Sequence, residues 1–166
     1  MDPNLFFQTI TSHLGDITIA ASDLGIRWVK LNSEHKNNNH PNHHTEKATS
    51  QLTQYFEGKR TTFDLAFDLD GFTEFSQKVW TELLNIPYGE TISYKELAIR
   101  LGDVKCIRAA GTANGRNPIP IIIPCHRVIG SDGNLTGYAL GLDIKKALLT
   151  LENPQKYWQV QGSFAF

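Results

Sequence analysis

Asn117-Pro118-Ile119-Pro120-Ile121-Ile122-Ile123-Pro124-Cys125-His126-Arg127-Val128 is the stretch from which the rest of the chain is read. A run of isoleucines bounded by prolines and ending in a thiol, an imidazole and a guanidinium describes a buried segment that delivers reactive groups to an edge. A thiol reacts as its thiolate, and a free cysteine at neutral pH is only partly ionised, so a neighbouring base must take its proton. His126 is the candidate base, and Arg127 is a candidate source of positive potential. Consecutive residues of an extended strand point to opposite faces, so the chain has to turn at Cys125. Pro124 suits that turn because it fixes its own φ and has no N–H to continue a ladder. Taken as an isolated pair, Cys125 and His126 are equally compatible with a small buried hydrophobe beside a surface imidazole.

Composition sets the frame for this segment. With 166 residues, 40% of them hydrophobic and 20% charged, the chain holds one sizeable domain or two small ones. No run approaches the roughly 18 apolar residues of a membrane span, and the first residues lack a basic region followed by an apolar core. A soluble, cytoplasmic protein without membrane association is expected. Cys106 and Cys125 offer neither a disulfide framework nor the spacing of a structural zinc site, so no metal and no cofactor are expected. A reducing compartment would keep a nucleophilic thiol available. The net charge of −1 hides an asymmetry: residues 1–73 carry six Lys/Arg against nine Asp/Glu, whereas 94–127 carry six against two. Local basic charge of this kind fits either a solvated helical face or a DNA-binding surface.

Before the central segment the chain changes character once. From Phe6 to Leu31 short apolar runs, Ile17-Thr18-Ile19-Ala20 and Ile26 to Leu31 among them, alternate with the turn signals Gly15-Asp16 and Asp23-Leu24-Gly25, the pattern of an antiparallel meander. Residues 32–45 are polar and aperiodic and hold four of the six histidines. They are expected to form an exposed, flexible insertion rather than a metal site, because nothing pre-organises the imidazoles. Lys47 to Phe56 has helical spacing closed by Gly58, and Phe63 to Leu69 alternates like one more strand. Beyond residue 73 the pattern turns helical. Thr73 caps a helix with Phe75, Val79, Trp80, Leu83 and Leu84 on one face. Ser93 caps a second, with Glu96 completing a capping box, and a third runs from about Lys105 to Asn114. Two short helices around a Gly-containing turn make a helix-turn-helix candidate.

Pro-Cys-His-Arg-Val preceded by Asn-Pro-Ile-Pro-Ile-Ile-Ile resembles the O6-alkylguanine-DNA alkyltransferase family, the methylated-DNA–protein-cysteine methyltransferases. The resemblance keeps family-like spacing from about Phe75 to Glu152 and extends weakly into the first part of the chain. It implies an α+β protein. Residues 1–73 would form a β-rich, ribonuclease-H-like scaffold, and residues 74–166 a helical, winged-helix-like subdomain that binds DNA and accepts the alkyl group. The implied activity is direct repair: a monomer flips O6-alkylguanine out of double-stranded DNA and moves the alkyl group irreversibly onto Cys125, with O4-alkylthymine as a further substrate.

The same resemblance distributes roles along the chain. His126 acts as general base through a water, Glu152 orients it, and Asn117 braces the turn. Tyr94 crowds the flanking phosphate and donates toward N3 of guanine, while the carbonyls of Cys125 and Val128 accept from the guanine amino group. Tyr138 packs on the base, with the Ala139 N–H near O6. Arg108 fills the gap left by the flipped nucleotide, where a planar cation offsets lost stacking. Ser93, Lys95 and Ser131 are further DNA-contact candidates. Leu140 stands where the family often carries a small residue. Two other classes compete: a module that binds alkylated bases without transfer, and a cysteine hydrolase, which would need neither Arg108 nor the helix-turn-helix.

Overall fold

The computed structural model describes residues 4–161 except 36 and 38. It divides the chain into two units, Met1–Phe72 with Pro118–Ile122, and Thr73–Asn117 with Ile123–Phe166.

The first unit is built on three antiparallel strands, β1 (Phe6–Ser12), β2 (Gly15–Ala21) and β3 (Ile26–Leu31), in the order β1-β2-β3. The central strand is buried on both faces from Ile17 to Ala21. Thr18 lies fully inside it, and its hydroxyl is satisfied by Thr9 on the neighbouring strand at 3.0 Å. Helix α1 (His43–Phe56) buries Ala48, Leu52 and Tyr55, spaced at four and three residues, on one face. It begins four residues before the helix expected at Lys47. The reason is Asn42, whose side chain accepts from the Thr45 N–H while the Thr45 hydroxyl accepts from the Asn42 N–H, a reciprocal cap at 3.0 Å each way.

Two histidines of the exposed His-rich stretch, His35 and His40, are placed against β1. Phe7 and His40 exchange both backbone hydrogen bonds, at 2.8 and 2.9 Å, and the His40 and His35 rings stack on Phe6 and Phe7 with centroids 5.2 and 5.3 Å apart. A loop laid along β1 satisfies backbone groups that an edge strand would leave open. Among the described residues no group of His, Cys, Asp or Glu is arranged to hold a metal ion.

Phe63 to Leu69 does not form the expected strand either. It makes one isolated parallel bridge, Ile26 with Phe67, because the backbone N–H and C=O of Asp64 are taken by the Gln51 side chain at 2.9 and 3.1 Å. Gly25 permits the approach, since a Cβ there would lie 2.6 Å from the Ala66 carbonyl oxygen. Pro118–Ile122 completes this unit, with the Val29 N–H donating to the Pro118 carbonyl at 2.9 Å. Within it Ile121 has a φ of 75°, a conformation that strains a β-branched residue by about 1–2 kcal/mol.

The second unit is helical. Thr73 caps α2 (Glu74–Leu83) as expected, and the buried Trp80 donates its indole N–H to the Ala113 carbonyl at 2.8 Å. After α2 comes the helix-turn-helix. It consists of α3 (Tyr94–Arg100), a single 3-10 turn over Val104–Cys106, and α4 (Ile107–Gly115). Ser93 caps α3, accepting from the Glu96 N–H at 3.0 Å. The Glu96 carboxylate does not close a capping box but reaches forward to Arg100 at 3.0 Å. Strand β4 (Ile92–Ser93) pairs in parallel with β5 (Val128–Ile129), which begins immediately after the Cys-His-Arg turn. Helices α5 (Leu142–Glu152) and α6 (Pro154–Gln161) follow. The architecture is α+β, with an antiparallel sheet early in the chain and helices in the later part. No helix among the described residues is long and apolar enough to cross a membrane.

Candidate active site

Cys125–Arg127 forms one 3-10 turn, so the chain does turn at the thiol. All three side chains are buried, with His126 at 0% exposure. The turn is held from several sides. Asn117 donates its side-chain N–H to the Ile123 carbonyl at 2.8 Å and also hydrogen-bonds the Cys125 sulfur. The Val128 N–H donates to the Cys125 carbonyl, and the Asn114 side-chain N–H approaches the same oxygen at 3.4 Å.

Glu152, the last residue of α5, is the electrostatic centre. His126 Nε2 lies 2.7 Å from its Oε1. Arg127 grips both carboxylate oxygens, Nε to Oε2 and Nη2 to Oε1 at 2.9 Å each, and its Nη1 donates to the Ile86 carbonyl at 2.6 Å. Arg127 is therefore committed to the carboxylate and does not supply the thiol with positive potential, as its position in sequence suggests. Burial pushes the Glu152 carboxyl upward, but the hydrogen bonds and charges of His126 and Arg127 outweigh it and hold the group down to about 2. Burial also holds His126 below the usual imidazole range despite Glu152. The resting imidazole is neutral, its Nε2–H donating to a permanent carboxylate and its Nδ1 lone pair open to receive a proton.

The cation beside Cys125 is Lys145, which the sequence reading left unassigned. It is fully buried, and its Nζ donates to the carbonyls of Val128, Thr136 and Gly137 at 2.7, 3.0 and 3.5 Å. Burial lowers its pKa to about 8, with Cys125 acting in the opposite sense. The signal for Lys145 lay in the register of α5. Lys145, Leu148, Leu149 and Glu152 follow a three, four, seven spacing on the inward face, and a lysine there must find buried acceptors. Burial pushes the Cys125 thiol upward, against the opposing pulls of Asn117, Lys145 and Tyr138. At neutral pH the cysteine therefore rests as a thiol and needs a base at the moment of reaction.

Around this cluster the other candidates fall into two groups. Tyr94 at the start of α3 donates its hydroxyl to the Thr136 carbonyl at 3.2 Å, the same oxygen that Lys145 holds. Tyr138 carries its hydroxyl against the Cys125 sulfur. Burial and the charge of Cys125 push this phenol well above its ordinary range. Val128 presents its carbonyl to Lys145, and Ala139 is exposed on the loop beside Tyr138. Arg108, Lys95 and Ser131 are exposed, on α4, on α3 and in the turn after β5. The Ser93 hydroxyl serves as the cap of α3.

A buried thiol backed by a neutral imidazole and a clamped carboxylate lies in the same unit as a helix-turn-helix, the arrangement of a candidate cysteine site on a helical scaffold. The family comparison agrees. Residues 74–154 match the DNA-binding domain of 6-O-methylguanine DNA methyltransferase and residues 5–69 match its ribonuclease-like domain. The chain belongs to the 6-O-methylguanine DNA methyltransferase family. A methylated-DNA–protein-cysteine methyltransferase of Methanosarcina barkeri is 47% identical over 154 residues, covering 89% of this chain and 97% of that protein. One from Mycobacterium tuberculosis is 45% identical over 89% of this chain and 92% of its own length. A crystal structure of the Mycobacterium tuberculosis OGT in complex with DNA superposes with a TM-score of 0.81 at 44% identity, covering 90% of this chain and 93% of that one.

Proposed function

We propose that this chain is a methylated-DNA–protein-cysteine S-methyltransferase that repairs O6-alkylguanine in duplex DNA by moving the alkyl group to Cys125. The observation that carries this reading is the Cys125 thiol itself, buried with the His126–Glu152–Arg127 cluster behind it, because a module that only binds needs no acceptor sulfur. In the proposed sequence the helix-turn-helix takes the duplex, Arg108 enters the stack, and the alkylated base leaves it for a pocket beside Cys125. The carbonyls of Cys125 and Val128 accept from the guanine amino group. Tyr138 packs on the base with the Ala139 N–H near O6, and Ser93, Lys95 and Ser131 meet the backbone.

The Cys125 proton passes through a water to His126 Nδ1, and the imidazolium is stabilised by Glu152, which Arg127 keeps ionised. The sulfur then displaces guanine from the alkyl carbon in line, the S–C bond forming as the C–O6 bond breaks. Tyr94 donates toward N3 so that guanine departs neutral. Lys145 steadies the developing thiolate and holds the Val128 carbonyl and the Thr136 carbonyl in place. No cofactor takes part. The thioether is inert to water, so each molecule acts once, with O4-alkylthymine as a second substrate. In this reading residues 1–73 act as scaffold and 74–166 carry the chemistry, in a cytoplasmic monomer.

Intact-protein mass spectrometry after incubation with a duplex containing one O6-methylguanine tests the proposal. A stoichiometric gain of one methyl mass on the Cys125 peptide is expected. Binding without any mass gain would replace transfer by recognition alone. Arg108→Ala should slow repair in duplex far more than reaction with the free alkylated base, by tenfold or more, because only the duplex requires extrusion. Equal losses on the two substrates would remove Arg108 from that role.

A further inference from the structure

Two buried polar atoms near the thiol have no hydrogen-bond partner among the described residues: His126 Nδ1 and Asn114 Oδ1. Asn114 sits at 3% exposure on the last turn of α4. Its amide orientation is fixed by its other atom, since Nδ2 donates to the Cys125 carbonyl at 3.4 Å. Its Oδ1 is therefore an acceptor beside the Cys125–His126 peptide. His126 Nδ1 is an acceptor as well, because Nε2 carries the proton given to Glu152. The Tyr138 hydroxyl also lacks a nitrogen or oxygen partner, but it faces the Cys125 sulfur. Burying two acceptors without a donor is costly, about 1–3 kcal/mol each, and one shared water removes both costs.

We infer that Asn114 is a positioning residue that holds the water of the proton relay, its Oδ1 and His126 Nδ1 accepting the two hydrogens of one molecule whose lone pair faces the Cys125 thiol. This rests on the reading of Cys125 as acceptor and His126 as base. The donors and acceptors balance: the water gives one hydrogen to Asn114, gives the other to His126, and takes the thiol proton. When the relay fires, the S–H bond breaks, the water oxygen gains that proton and passes its own to Nδ1. The products are a thiolate and an imidazolium, with the water restored. The amide oxygen prevents the water from turning its second hydrogen toward the sulfur, where it would block the transfer. Asn114 brings no charge, so the fields on the pair remain those of Glu152, Arg127 and Lys145 around His126 and of Lys145 and Tyr138 around Cys125.

Asn114→Leu keeps the volume and removes both polar atoms. Single-turnover methyl transfer from duplex O6-methylguanine, followed against pH beside the wild-type protein, is the test. The variant is expected to be slower on the order of tenfold near neutrality with DNA affinity unchanged, and the deficit should shrink as pH rises toward the thiol's own pKa, where no relay is required. A deficit equal at every pH, or none, overturns the inference. A wild-type protein that transfers nothing would instead overturn the assignment of function. If the variant fails to fold, a high-resolution crystal structure of the wild-type protein decides. A water within hydrogen-bond distance of both Asn114 Oδ1 and His126 Nδ1 is expected, and density for another partner on either atom refutes it.

Discussion

Cys125→Ala is expected to bind duplex DNA containing O6-methylguanine with the affinity of the wild-type protein and to transfer no methyl group to any residue. In the proposed reaction the sulfur is the acceptor, so its removal eliminates the bond-forming atom rather than slowing a step. The proposed DNA contacts should be unaffected, because Arg108, Lys95 and Ser131 are exposed side chains on α4, on α3 and in the turn after β5. Folding should survive. The turn is set by Pro124, by Asn117 on the Ile123 carbonyl and by the Val128 N–H on the Cys125 carbonyl, none of which uses the sulfur. The loss of one buried atom costs about 1 kcal/mol. Fluorescence anisotropy and mass spectrometry on the same sample check both halves. Methyl mass on the variant, for example on the half-buried Cys106, would transfer the acceptor role away from residue 125.

Glu152→Gln is expected to be damaging in two separable ways. The carboxylate holds His126 and both forks of Arg127 inside the protein, and replacing it by an amide leaves the guanidinium buried without its countercharge. Breaking such a buried pair costs about 3–5 kcal/mol, a fall in Tm of roughly 10 °C for a chain of this size. The second effect is chemical: an amide cannot stabilise the imidazolium, so the transfer rate should drop by about a hundredfold at neutral pH even in the folded fraction.

The pH dependence separates the two effects. Glu152 is held to about 2 in the folded protein from an ordinary value of 4.5. Its contribution is therefore complete above 4.5 and is lost as pH falls from there toward 2. His126, whose folded pKa is lowered from 6.5, adds a loss in the same direction that begins below 6.5, since the unfolded chain takes up that proton first. Chemical denaturation at a series of pH values should show the acid limb between 4.5 and 2 flattened in the variant. A limb unchanged from the wild type would show that Glu152 is not the group being protonated.

The turn at Cys125 was legible from Pro124 and from the need of a thiol for a base. The first two helices after Thr73 were legible from their caps, Thr73 and Ser93. Glu152 was named through the family resemblance, and its place at the C-terminal end of α5, where a carboxylate opposes the helix dipole, is offset by its partners His126 and Arg127. What the sequence withheld depended on contacts between distant residues. Arg127 looks like a cation for the thiol until the fold brings it to Glu152 and the Ile86 carbonyl. Lys145 sits on an inward face, but only the fold reveals the three carbonyls that make its burial tolerable. Phe63 to Leu69 alternates like a strand, yet Gln51 takes the backbone groups of Asp64 and only the bridge to Ile26 remains. His35 and His40 looked like part of a solvated loop because nothing local shows that Phe7 and Phe6 lie opposite them. Local chemistry is written locally, whereas the partner of a buried polar group is a property of the whole chain.

The placement of Pro118–Ile122 with residues 1–72 limits modularity. Measured along the chain, the residues proposed to bind DNA and accept the alkyl group form one continuous block, as if they were a cassette that could be cut free. The fold does not respect that boundary, because this block lends five residues to the other unit just before Cys125. A fragment starting at residue 73 would carry Ile119, Ile121 and Ile122 without the residues that bury them, and the strained Ile121 without the packing that enforces its backbone. The segment that presents the nucleophile would then be free to relax a few residues upstream of Cys125. Recombination between relatives should accordingly succeed when residues 118–122 travel with the first 72 and fail when they do not.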